Sequence, residues 1–111
     1  MDGPSIEDVR VAIDTLDEEI VELIARRQRW VVKAGALKRD VAAVRAPDRV
    51  EQVIAKVRAL AVEAGSSPEV VEATYRAMIG AFIKLELRTH EDARATSAVS
   101  EGGFGGMEPR P

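Results

Sequence analysis

SIEDVRVAIDTLDEEIVELIARRQRWVVKAGALKR, residues 5–39, decides the fold. Its apolar side chains recur at Ile6, Val9, Ile13, Leu16, Ile20 and Leu23, then at Trp30, Ala34 and Leu37. The alternating spacing of three and four is the seam of a long helix packed on partner helices. Ser5 precedes the run as an N-cap, with Asp8 three residues on to complete a capping box. One seam position, Arg27, is not apolar. A guanidinium on a buried stripe is costly unless an anion meets it. Arg10 and Lys38 stand beside the same seam.

The rest of the chain agrees with an all-α fold. The sequence has 111 residues, 46% hydrophobic, 4% aromatic and 32% charged, a mixture of Ala, Val, Leu, Ile, Glu and Arg that suits helices. The net charge of −3 argues against a general nucleic-acid surface but not against a local basic pocket. There is no cysteine and one histidine, which excludes disulfides, thiolate chemistry and a cysteine or multi-histidine metal centre. No signal peptide pattern and no 18-residue apolar run is visible, so the expectation is a soluble cytoplasmic protein without membrane contact. A first helix of ~34 residues would be ~50 Å long, too long for one small domain to cover. A homodimer is the expected solution.

Two further helices follow. Residues 40–46 lack helical periodicity and read as a connection. Pro47 opens a second helix over about 47–63, with Val50, Val53, Ile54, Val57, Leu60 and Ala61 on one face. Gly65-Ser66-Ser67 ends it and caps a third, from Pro68 to about Asp92. That helix carries Tyr75, Met78, Ile79, Phe82 and Ile83 among its apolar positions. Residues 1–92 thus form one helical domain, and 93–111, rich in Ser, Gly and Pro, read as a flexible tail.

The cations constrain function. Arg27 and Lys38 are eleven residues apart, about three turns or ~16 Å on one continuous helix, and nearly on one face. Arg10 lies ~25 Å from Arg27 on the same helix, too far to share a small ligand. If Arg10 contributes, it comes from a second copy through antiparallel pairing of the long helices. Each residue has a plainer reading. Arg10 suits a solvated helix surface, Lys38 suits a helix C-terminus, and Arg49 and Glu86 taken singly are surface charges. His90, near a helix end, reads as solvated, and Trp30 and Tyr75 as core.

Taken together, these positions resemble the all-helical chorismate mutase family. The resemblance rests on Arg10 within Val9-Arg10-Val11-Ala12-Ile13-Asp14-Thr15-Leu16-Asp17, Arg27 within Ala25-Arg26-Arg27-Gln28, Lys38 within Gly35-Ala36-Leu37-Lys38, Arg49 within Ala46-Pro47-Asp48-Arg49-Val50, and Glu86. It covers roughly residues 6–90. It implies an intertwined helical homodimer of three-helix chains with shared sites, no cofactor and no metal. The substrate class it implies is a small dicarboxylate, chorismate, rearranged to prephenate. By the resemblance, Arg10 of the partner subunit and Arg27 hold the two carboxylates, and Arg49 supports the carboxylate end. Lys38 and the residue at Glu86 donate to the ether oxygen of the breaking bond.

Two departures bear on specificity. Glu86 replaces the family's common glutamine and must carry a proton to donate. Val50 stands where many mutases have a glutamate that contacts the ring hydroxyl. Ala46-Pro47-Asp48-Arg49-Val50 is similar to isochorismate pyruvate lyases, and Glu86 with Val50 is similar to 4-amino-4-deoxychorismate mutases. The expected activity is chorismate mutase, with those two enzymes as alternatives. A non-catalytic helical dimerisation module is the rival from another class; it explains the seam but not Arg27.

Overall fold

The computed structural model describes residues 3–101, with side chains as far as residue 92. No strand occurs among the described residues, and none of their helices is long and apolar enough to cross a membrane. The chain divides into two units, 1–36 and the part beginning at Leu37.

The first unit is α1, Ile6–Ala36. Its start is the expected capping box: the Asp8 N–H donates to Ser5 Oγ at 3.1 Å and the Ser5 N–H to Asp8 Oδ2 at 3.0 Å. Glu7 and Asp8 add negative charge where the helix dipole favours it. No residue of α1 is buried. Ile13, Leu16, Ile20 and Leu23 all keep half or more of their surface in water, and Trp30 keeps 70%. Trp30 is therefore not a core residue of the single chain; the Lys33 ammonium sits 4.7 Å from its ring centroid instead. α1 also ends three residues short of the expected Arg39, at Ala36. Lys38 is thus not on this helix, and the three-turn spacing argued from a continuous helix does not apply to it.

The second unit holds α2, Val41–Arg45; α3, Pro47–Ala64; and α4, Pro68–Glu101. The expected irregular connection over 40–46 contains a one-turn helix. Asp40 caps it, Oδ1 accepting from the Ala43 N–H at 2.9 Å. Ala46 ends it in the left-handed region, φ 33°, and Pro47 then starts α3. Local caps thus outweigh the β-branched composition of the segment. Gly65, at φ 78°, closes α3, and the Ser66 N–H donates back to the Ala61 carbonyl at 2.9 Å. Ser67 Oγ accepts from the Val70 N–H at 3.2 Å and caps α4, with Pro68 in its first turn. α4 passes the expected end at Asp92 and continues to Glu101. The remainder of the expected tail, 102–111, lies outside the described residues.

Ion pairs fix α3 and α4 as antiparallel. Arg76 reaches back to both carboxylate oxygens of Glu51 at 2.9 Å, while Arg58, further along α3, pairs with Glu72 at 2.7 Å and Glu69 at 3.5 Å. The Arg76 hydrogen bonds hold the Glu51 carboxyl below its usual range. Hydrogen bonds from Arg76 and then Arg58 do the same for Glu72. Hydrogen bonds to Glu51 and Glu72 push the Arg76 guanidinium further into its charged form. Between the helices Ile54, Val57, Ala61 and Phe82 are buried, joined by Val44 of α2. Burial of each large apolar side chain contributes about 1.5–3 kcal/mol. α2 packs on α4, and this contact positions the residues considered next.

Candidate functional site

Glu86 is a buried acid near the middle of α4, 9% exposed. It lies one turn after buried Phe82, on the same face, because residues four apart in a helix stack. Its carboxylate is thereby carried into the layer where α2 meets α4. A buried carboxylate without a partner would cost several kcal/mol. Lys38 supplies the partner: Nζ donates to Glu86 Oε2 at 3.0 Å, with the lysine side chain 27% and the glutamate side chain 8% exposed. The lysine comes from the short linker between Ala36 and Asp40, where the end of α1 frees the backbone to turn. Glu86 is therefore not the surface charge that its single-residue reading suggests.

The pair has definite chemical capacities. An ammonium offers three N–H donors. One is used on Glu86, leaving donors for a ligand atom beside it. Glu86 fixes the direction of the lysine and, when protonated, is itself an O–H donor. A fixed cation in a partly water-excluded position acts more strongly on developing charge than the same cation in water.

The other expected residues are placed as follows. Arg10 is exposed on α1, 3.9 Å from Glu7 across one helical turn. Arg27 is half-buried on α1. Arg49 is exposed in the first turn of α3 and makes no ion pair among the described residues. Within the second unit, then, Lys38 and Glu86 come together, and Arg49 is not bonded to them. No group of three or more His, Asp or Glu side chains suited to a metal ion occurs among the described residues.

The sequence did not single out Arg39, and it read His90 as solvated. His90 is half-buried rather than solvated and, with Arg39, Asp40, Val41 and Ala42, lines an open cavity. The available signal was its position four residues after Glu86, which puts both on one face. The expected helix end at Asp92 concealed it.

The chain matches the family model of chorismate mutase type II over residues 9–87, a span containing Arg10, Arg27, Lys38, Arg49 and Glu86 but not His90. It is also similar to an isochorismate pyruvate lyase of Pseudomonas aeruginosa, 29% identical over 96 residues that make up 86% of this chain and 95% of that protein. With most of its length matched and its lysine–glutamate pair inside the match, the chain belongs to the chorismate mutase type II family.

Proposed function

We propose that the protein is a chorismate mutase, acting as a homodimer with shared sites. The observation that carries the reading is the Lys38–Glu86 contact of 3.0 Å, buried on the glutamate side, within the stretch matched by the family. The exposed apolar seam of α1 supports the dimer, since a second copy would remove that surface from water.

The chemistry asks for no acid, base or nucleophile. In chorismate one C–O bond breaks as one C–C bond forms, and the atoms of substrate and product are the same. The substrate is a dianion, and guanidinium forks match carboxylates. Arg27 and Arg10 of the partner subunit hold the two carboxylates, with Arg49 at the carboxylate end, and select the compact conformer that can react. Negative charge then grows on the ether oxygen as its bond to carbon breaks. Lys38 donates to that oxygen, so its stabilisation is larger in the transition state than in the ground state. Glu86 aims Lys38 and, in its protonated form, adds a second donor to the same oxygen.

A second reading is favoured by particular residues. Ala46-Pro47-Asp48-Arg49-Val50 lacks the glutamate after the arginine, and the Pseudomonas relative named isochorismate pyruvate lyase is matched over nearly its whole length. One paired assay decides between the readings. Chorismate is supplied and its ultraviolet absorbance followed; isochorismate is supplied in parallel and pyruvate measured. Loss of chorismate absorbance with prephenate formed is the expected result. Pyruvate release from isochorismate alone would make the protein a lyase. Turnover of neither substrate would reject both and leave the 4-amino-4-deoxychorismate mutase and the helical dimerisation module.

A further inference from the structure

Beside the Lys38–Glu86 pair lies a second feature with different residues. Arg39 of the linker and His90 of α4, with Asp40, Val41 and Ala42, surround an open cavity of about 530 Å³. That volume falls within the range of small-molecule sites. Arg39 and His90 come from two different elements and face the same space. Neither has a hydrogen-bond or ion-pair partner among the described residues. The acid in the wall, Asp40, gives one carboxylate oxygen, Oδ1, to the Ala43 N–H at 2.9 Å to cap α2. Two side chains able to donate, without a partner among the described residues, therefore line the cavity together with the apolar residues Val41 and Ala42.

We propose that this cavity is a second ligand site, separate from the Lys38–Glu86 pair, that binds a small organic monocarboxylate. The carboxylate is held by the Arg39 fork and a His90 N–H, and the apolar body of the ligand rests on Val41 and Ala42. A cation would meet the Arg39 guanidinium. A doubly charged oxyanion would meet the Asp40 carboxylate, with Arg39 the one arginine or lysine among the described lining residues to offset it. One negative charge and an apolar body fit the lining best.

The sole histidine of the chain provides its own reporter, because His90 gives a single set of ring proton resonances. The full-length protein is titrated with benzoate, with benzyl alcohol and inorganic phosphate as controls, and the His90 resonances are followed without any turnover. Saturable shifts with benzoate and none with benzyl alcohol are expected. Arg39→Met should weaken benzoate roughly tenfold, the loss of about 1.4 kcal/mol. His90→Gln, read by calorimetry, should weaken it too, while Arg27→Ala should leave it unchanged. Any one of four results overturns the proposal: no saturable shift, equal binding of benzyl alcohol, binding of phosphate in preference to benzoate, or benzoate binding lost in Arg27→Ala but kept in Arg39→Met. The last would put the anion on the substrate-binding arginine instead. Binding is read directly here, so an absence of mutase or lyase activity would not decide this question.

Discussion

Removing one member of the Lys38–Glu86 pair should destabilise the fold far more than removing the other. The two groups are 3.0 Å apart, which at an effective dielectric of ~20 corresponds to a gross attraction of about 5.5 kcal/mol. Desolvation of the glutamate offsets most of that gain. Lys38→Met removes the attraction but leaves the desolvated carboxylate in place. Breaking a fully buried pair this way costs about 3–5 kcal/mol. Lys38 keeps 27% of its side chain in water, so solvent reaches the abandoned carboxylate in part, and about 2–3 kcal/mol is expected. Glu86→Gln removes the charge that had to be desolvated and keeps an oxygen that accepts from Nζ, so its effect should lie within about 1 kcal/mol. The double variant should resemble Glu86→Gln alone. Urea unfolding at neutral pH, followed by circular dichroism, measures all four corners of the cycle. Protein concentration must be held constant, because self-association would make stability depend on it. A Lys38→Met protein within about 0.5 kcal/mol of the parent, or a Glu86→Gln protein as damaged as Lys38→Met, would refute the reasoning. Kinetics on the same variants separate folding from chemistry. If Lys38 acts on charge present only in the transition state, Lys38→Met lowers kcat far more than it raises KM.

Four further outcomes are expected. Mixing Arg10→Ala with Arg27→Ala subunits should restore about one good site per mixed dimer, and mixed dimers as inactive as either parent would remove the shared site. Glu86→Gln keeps an oxygen that accepts from Lys38 and adds an amide N–H donor, so kcat should be kept or raised; a large fall in kcat with KM unchanged would mean that the carboxyl itself is needed. Glu51 and Glu72 have folded-state pKa values below the ordinary 4.5, so their stabilisation is complete above that value and is lost as pH falls through the depressed ones. Arg76→Met should flatten this acid-side loss in a series of thermal unfolding curves, and identical slopes would exclude the network as its source. Ala46 occupies the left-handed region at φ 33°, where a Cβ costs roughly 1–2 kcal/mol. Ala46→Gly should therefore raise stability by about 0.5–1 kcal/mol, and a lower urea midpoint would show that the rigidity of alanine matters more at that junction.

The sequence alone determined the three longer helices and several of their caps, because those depend on neighbours a few residues apart. Ser5 with Asp8, Gly65, and Ser67 with Pro68 each act within one turn, and the structure has them where the sequence puts them. The apolar periodicity of α1 was equally legible, as was the family, since the charged residues recur at fixed positions in one chain. Other features needed tertiary structure. α4 continues to Glu101, past Asp92, through small residues that favour neither state strongly, whereas α2, Val41–Arg45, rests on its own Asp40 cap. The burial of Glu86 could not be read from a charged residue at helical spacing. It follows from α2 packing on α4 and from Lys38 leaving the helix to meet it, across 48 residues of sequence. The cavity beside His90 arises in the same way, for a concave surface is made by two elements approaching each other and has no trace in either one taken singly.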